Sequence, residues 1–438
     1  MPALFTKEIK NKDEEYLDLD SAGIIYPYVA NKEWNSSYRI KARLKTQVDL
    51  TALKSAVETM KKRYPYFFMR LDIQSKKYVL KKGYNCDTVF KDDGLCKPFL
   101  LDGYEPLLRI LYGENTISTE FFHALTDGHG ALMFVGELLE EYSKEVLKNR
   151  RIPCTGEKGE ALHPELNNTT DIYKELYKLG GKSVSRFLTY AYQFKDGNGK
   201  TLTAESVEVS ASELKAAAKK YSVSISVYLC ALQTAAIFDT QAVGGRTVRI
   251  SVPVDLRKYF DTASCRNAAL YFLTSAKKNS FTHFSELVKR TEAQFSENLQ
   301  KEKLRNLAYT NVKTAKLKLF EMLPILLKKL VLNIGFTAFG ENQFTSTLTN
   351  LGVISLGNNA RMFVDDISFI LGRQKTKPLN LSVSTYNGKT KITVSSTVNS
   401  ENFVSALRAR LAYDGVSSAL RSEEVNKETV KTGLNKAS

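Results

Sequence analysis

The chain has 438 residues, enough to bury a substantial core, and that length favours two or three domains. Its 43% hydrophobic and 25% charged residues are the balance of an ordinary globular protein, and no run of about 18 apolar residues is present to span a bilayer as a helix. The 63 Lys and Arg against 47 Asp and Glu leave a net charge of +16, which fits either a solvated basic surface or an anionic partner.

An anionic partner could be nucleic acid, an acidic membrane surface or a polyphosphate-bearing small molecule. The lysines are scattered, with no basic arm and no nucleic-acid module, so nucleic acid is excluded first. Met1 to Asp20 has mixed charge and no apolar core, as neither a secretory signal nor an anchor does. Cys86, Cys96, Cys154, Cys230 and Cys265 form no CxxC and are odd in number, which fits buried thiols in a reducing cytoplasm.

In chain order, Tyr38 to Leu44 alternates as a strand. Asp49 then caps a helix with apolar residues at Leu50, Leu53, Val57, Met60 and Tyr64, stopped by Pro65. Tyr66 to Leu80 reads as two strands broken at Gln74-Ser75-Lys76-Lys77. Thr116 to Phe122 is a strand. After Gly128, Ala131, Phe134, Val135, Leu138, Leu139, Tyr142 and Val146 mark a long helix with one buried stripe and an acidic, lysine-bearing outer face.

From Asn149 to Lys200 recurring Pro, Gly and Asn (Pro153, Gly156, Gly159, Pro164, Asn167, Asn168, Gly197, Gly199) mark a connection between two lobes. Gly181-Lys182-Ser183 imitates the end of a phosphate-binding loop, but Leu176 stands where the first glycine is needed and a helix precedes it. Ser210-Ala211-Ser212-Glu213 is a capping box, and the helix from Ser224 to Phe238 is apolar all round and so buried. Val248 to Val254 alternates as a strand ending in Pro253-Val254-Asp255-Leu256-Arg257, followed by Asn267 and Tyr271-Phe272.

Residues 306 to 336 are basic and very apolar, with Pro324 kinking any helix. A membrane-surface helix is one reading. Burial over a lobe interface or an apolar channel is the preferred one. Strand candidates follow at Ser346 to Ser355 and Met362 to Leu371. Leu379 to Thr385 then turns through Asn387-Gly388 into a returning strand, and a last helix covers Glu401 to Tyr413. The tail from Val416 is polar and expected to be disordered.

The chemistry concentrates in Glu120-Phe121-Phe122-His123-Ala124-Leu125-Thr126-Asp127-Gly128-His129-Gly130, between strand and helix. Three readings compete. Asp127 could be a helix cap with incidental histidines. His123, Asp127 and His129 could be part of a metal site, though no further ligand has the spacing. Or His123, at a strand end, could be a general base with a near-neutral pKa, Gly128 letting the chain turn closely into the helix.

The loop resembles the HxxxDG signature of the chloramphenicol-acetyltransferase-like superfamily, which includes alcohol acetyltransferases, plant acyltransferases and peptide-synthetase condensation domains. Arg63-Tyr64-Pro65-Tyr66-Phe67, Pro253-Val254-Asp255-Leu256-Arg257, Asn267 and Thr349-Asn350-Leu351-Gly352 extend the resemblance, in order, over residues 16 to 413.

The resemblance implies two pseudo-symmetric α/β lobes of mixed sheet covered by helices, residues 1–195 and 196–415, with a channel between them and a tail at 416–438. It implies His123 as the catalytic base, Asp127 as a structural partner of Arg257, and no metal or permanently bound cofactor. It places Thr347, Thr349 and Asn350 along the channel near a developing oxyanion. Acyl-CoA is the implied co-substrate and a small alcohol the acceptor, for a monomer in the cytoplasm. An acyl carrier protein with an amine acceptor is the rival, as is a silent binding module. Condensation domains carry two adjacent histidines, and Phe122 occupies the first position here.

Overall fold

The computed structural model describes residues 15–423 except 32–33, 35, 84–86, 102, 155–160, 185–188, 196–198, 200 and 316–322. The expectations for Cys86, Gly156, Gly159, Gly197, residues 316–322 and residues 424–438 therefore lie outside the described residues. Three sheets are present among the described residues. A small one joins β1 (Tyr16–Asp18), β4 (Lys77–Lys81) and β3 (Arg70–Gln74).

The first large sheet contains β2 (Ser37–Leu44), β7 (Thr116–Phe122), β6 (Leu108–Tyr112) and β5 (Val89–Lys91). Its outer neighbour beyond β2 is β12 (Val364–Leu371), contributed by the second half of the chain, with Ile367 opposite Ala42. The second large sheet has the order β10 (Ala269–Lys277), β9 (Thr247–Asp255), β11 (Ser346–Val353), β13 (Leu379–Tyr386), β14 (Lys389–Ser396), β8 (Thr203–Ser210), β15 (Ser418–Ser422). Both are mixed: β11 runs parallel to β9 and to β13, and β5 runs parallel to β6. This is the expected pair of α/β lobes, with β12 crossing from one half to the other's sheet.

The helices follow their caps. Asp49 accepts from the Ala52 amide and starts α2 (Leu50–Arg63). Asp127 starts α3 (Gly128–Asn149), and Ser224 starts α6 (Ile225–Thr240), which is buried from Val227 to Phe238. Asn387 and Gly388, at φ 47° and 74°, close the β13–β14 hairpin in the left-handed conformation that an Asn-Gly turn supplies. In the capping box, Ser210 accepts from the Glu213 amide, while Glu213 turns its carboxylate to the Ser417 amide at 2.9 Å.

Three expectations are corrected. The acidic face of α3 is not solvated: Glu137, Glu140 and Glu141 are buried. Arg63 binds Glu141 at 3.1 Å. Glu140 accepts from the Ala360 amide at 2.9 Å, at the N-terminus of the short helix Asn358–Phe363, where a carboxylate complements unpaired N–H groups. The stretch from Val416 to Glu423 is ordered. Residues 418–422 form β15 against β8, and Glu423 is buried beside Lys391 at 2.9 Å and Lys41 at 3.3 Å. Burial of the apolar helix after Pro324 is true of one face only. Ile325 and Leu332 pack on the first lobe's core, whereas Leu326, Leu327, Leu330, Val331 and Ile334 are exposed.

The imitation phosphate loop holds no strand–helix junction. Gly181 backs onto Tyr309, and the Lys182 amide donates to the Asn306 side chain at 2.8 Å. Of the described cysteines, Cys96, Cys230 and Cys265 are buried and Cys154 is exposed.

Candidate functional site

β7 ends at Phe122 and α3 begins at Gly128, so the loop between them lies at the strand end, facing the second lobe. Its first anchor is Asp127. One carboxylate oxygen accepts from the amides of His129 (3.1 Å) and Gly130 (2.9 Å), which caps α3. The other accepts from Arg257 Nη1 at 2.9 Å and the Ala268 amide at 2.7 Å, both in the second lobe.

Arg257 also donates to Asp255 and to the carbonyls of Ser264 and Arg266. Burial pushes the Asp127 carboxyl up, but the Arg257 guanidinium and the N–H donors outweigh it and hold it below the usual range. The expected Asp127–Arg257 pair therefore exists as a buried inter-lobe clamp. The Asp127 carboxylate thus accepts from four N–H groups, none of them on the His123 ring.

His123 is held differently. Its amide donates to the Ser36 carbonyl at 2.7 Å; Tyr26 stacks on the ring at 4.6 Å between centroids, and Tyr38 meets it edge-on at 5.3 Å. Nδ1 lies 3.0 Å from Asn267 Oδ1, and Asn267 Nδ2 lies 3.0 Å from Asp20 Oδ2. The Asp20 oxygens also face the amides of Ala22, Gly23 and Asn267, all donors.

That donor set requires Asn267 to turn its NH₂ to Asp20 and its oxygen to His123. Nδ1 therefore carries the hydrogen, and Nε2 keeps the lone pair. Burial lowers the His123 pKa below 6.5, only partly opposed by its own backbone, Asp127 and Asn267, so the ring is neutral at pH 7.

The chain from His123 through Asn267 to Asp20 spans both lobes. Asn267 stood out in the sequence only within the family resemblance. Asp20 lay in an unremarkable Asp-Leu-Asp stretch, and nothing local could have paired it with a residue 247 positions away.

A cavity of about 230 Å³ opens at His123. Tyr26, Trp34, Tyr38, Phe336, Phe344 and Phe369 make most of its wall apolar. The hydroxyl-bearing Ser251, Thr347 and Thr349 come from β9 and β11 of the second lobe. Asn350 is not among its lining residues: its Nδ2 donates to Ser226 at 3.1 Å, and its Oδ1 accepts from the Gly352 amide at 2.8 Å. Along β11 neighbouring side chains point to opposite faces, so Thr347 and Thr349 share the cavity and Asn350 turns from it. Another cavity, about 270 Å³ between Thr240 and Phe403, has no titratable group in its wall.

The glycines divide the work otherwise than expected. Gly128 is not left-handed; a Cβ there would sit 3.0 Å from Leu351 and 3.4 Å from Phe369, so its smallness serves the cavity wall. Gly130 is the tighter position, where a Cβ would run into the Cys265 carbonyl and the Thr126 hydroxyl. His129 Nδ1 lies 3.7 Å from Asp255 and does not converge with His123. Since Asp127 is committed to N–H donors, these three side chains form no ligand set, and no group of three potential ligands exists among the described residues. Phe122 is fully buried in the first lobe's core.

The two mixed sheets make a fold shared with solved structures that are only 10–15% identical to this chain, a likeness of fold alone. Among solved structures that share it is polyketide synthase associated protein 5 from Mycobacterium tuberculosis, with TM-score 0.62, 15% identity, and 91% of this chain and 97% of that one covered. TRI101 of F. graminearum, crystallised with coenzyme A and T-2 mycotoxin, gives 0.61 and 10%, with 92% and 99% covered. The starter condensation domain of rhizomide synthetase, crystallised with C8-CoA and Leu-SNAC, gives 0.55 and 10%, with 91% and 94% covered. No protein-family model and no curated protein matches the chain in sequence.

Proposed function

We propose that the chain transfers an acyl group from a coenzyme A thioester to an acceptor hydroxyl, with His123 as general base. The observation that carries the reading is a neutral histidine, its Nδ1 hydrogen committed to Asn267, at the wall of an inter-lobe cavity. Nε2 takes the acceptor's O–H proton as the oxygen forms its bond to the thioester carbonyl carbon. The tetrahedral intermediate collapses with cleavage of the C–S bond, and the departing thiolate takes the proton back from Nε2. Ester and free coenzyme A leave, and no covalent enzyme intermediate is needed.

The hydroxyls of Thr347 and Thr349 are the candidate donors to the oxyanion. Asp127 moves no proton; it keeps loop and lobes in register through Arg257. Coenzyme A is a co-substrate here and not a resident cofactor. The basic balance of the chain suits its phosphates.

The amide-forming alternative, with an amine acceptor and a carrier-protein donor, is weaker, because Phe122 offers no second histidine to the site. Release of thiol from acetyl-CoA, followed across a panel of alcohols and amines, tests the proposal. Alcohols should support release, and His123→Ala should slow it about 10²- to 10⁴-fold. Undiminished release by that variant would remove the base from the mechanism.

A further inference from the structure

The helix Ile325–Phe339 has two apolar faces. On the inner one Ile325 and Leu332 pack against the first lobe, and Phe336 lines the His123 cavity and meets Trp34 at 5.9 Å. On the outer one Leu326, Leu327, Leu330, Val331 and Ile334 are 79%, 46%, 59%, 49% and 63% exposed. Positions 326, 330 and 334 follow i, i+4, i+8, with 327 and 331 beside them, so the five form one stripe about 12 Å long. An isolated exposed leucine needs no account; a continuous aliphatic face does.

Its surroundings are basic. Between Glu321 and Glu341 the sequence has no acidic residue but has Lys328 and Lys329. Lys328 is itself buried, its Nζ donating to the Lys76 carbonyl at 2.9 Å, and this brings the β3–β4 turn, with the exposed Lys76 and Lys77, alongside the helix. Lys329 lies over the Tyr78 ring, and Lys375 donates to Asn333 at 3.0 Å. Of the nearby carboxylates, Asp18 is paired with Lys77 at 2.6 Å and Glu341 is buried.

We propose that this helix docks the protein on an anionic lipid surface. The stripe would enter the boundary between headgroups and acyl chains, and Lys76, Lys77 and Lys329 would lie at the level of the lipid phosphates. A lipid partner is favoured over a protein because the exposed face is wholly aliphatic, without the Trp, Tyr or Arg that anchor protein interfaces. No single described helix is long and apolar enough to cross a membrane, so the contact is a surface one. Docking would bring the Phe336 side of the cavity close to solutes dissolved in the bilayer.

Flotation with vesicles tests this without reference to any acyl transfer. The full chain should float with equimolar phosphatidylcholine and phosphatidylglycerol and much less with phosphatidylcholine alone. Leu326→Glu with Leu330→Glu should reduce binding at least roughly tenfold. Tyr413→Glu, at a residue 89% exposed on the last helix, should float like the parent. A parent melting temperature in the double variant shows that the fold is kept; should it drop, Leu326→Ser with Ile334→Ser gives the same reading.

No flotation by the parent overturns the proposal, as does equal flotation of the double variant. Equal binding to neutral vesicles overturns the anionic assignment. Self-association that the double variant abolishes, without flotation, gives the stripe to a second copy and also overturns it.

Discussion

Two regions meet at the His123 cavity and are built on opposite principles. In the loop 123–130 the groups that matter are paired, and the partners come from the other lobe: Asp127 with Arg257 and Ala268, His123 with Asn267. The helix Ile325–Phe339 instead reaches the cavity through Phe336 and leaves five aliphatic side chains in water. Buried polar pairing holds one geometry, because any departure strands a desolvated group. An aliphatic face has no preferred partner atom, so it can meet a fluid surface. Of the two regions, only the loop 123–130 is positioned rigidly by paired groups.

Asp127→Asn should strike this contrast hardest. It leaves Arg257 buried with only Asp255 as counter-charge, and about 3–5 kcal/mol of stability should be lost by urea unfolding, in the range for breaking a buried pair. An unchanged midpoint would show that the clamp does not hold the lobes. Gly130→Ala comes next, at about 1–3 kcal/mol, because its Cβ has nowhere to go against the Cys265 carbonyl. A parent-like midpoint there would mean that the loop relaxes freely.

Asn267→Ala removes about 1 kcal/mol of hydrogen bonding from the His123 ring, or about fivefold in turnover. Since Asn267 raises the His123 pKa, the acid limb of kcat/KM should move lower still in the variant. In the parent it should already lie below 6.5, and a limb above 6.5 would contradict the burial argument.

Linkage follows with definite signs. His123 binds its proton more readily when unfolded, so stability falls as pH drops through 6.5. Asp127, depressed in the fold, contributes stability that is complete above 3.8 and lost as pH falls through its lower folded value. The smallest effect belongs to Ile334→Ser on the outer stripe, within about 0.5 kcal/mol. A larger loss would show that this face is packed.

Much of the molecule was legible because local chemistry dictates it. Asp49 and Ser210 cap the helices they were expected to cap, Asn387-Gly388 makes its turn, and the 3–4 spacing of α3 is real. The same spacing misassigned the other face of α3, since a carboxylate reads as solvated until an arginine or a helix N-terminus is set against it, as Arg63 and Ala360 are. Asn350 failed for a simpler reason. A motif names a stretch, but strand alternation decides which of its side chains reach a cavity.

The sequence by itself determined the elements, their order and the one loop where a histidine could act, because caps, turns and periodicity are properties of neighbouring residues. Tertiary structure decided what that histidine is. Placing Asp20 and Asn267 behind the ring selects its tautomer, and β12 crosses into the other half's sheet while Glu423 is drawn into a cluster with Lys41 and Lys391. It also left one face of the helix Ile325–Phe339 bare. Desolvation and long-range pairing depend on which distant segments come to lie together, and no short window of sequence contains that information.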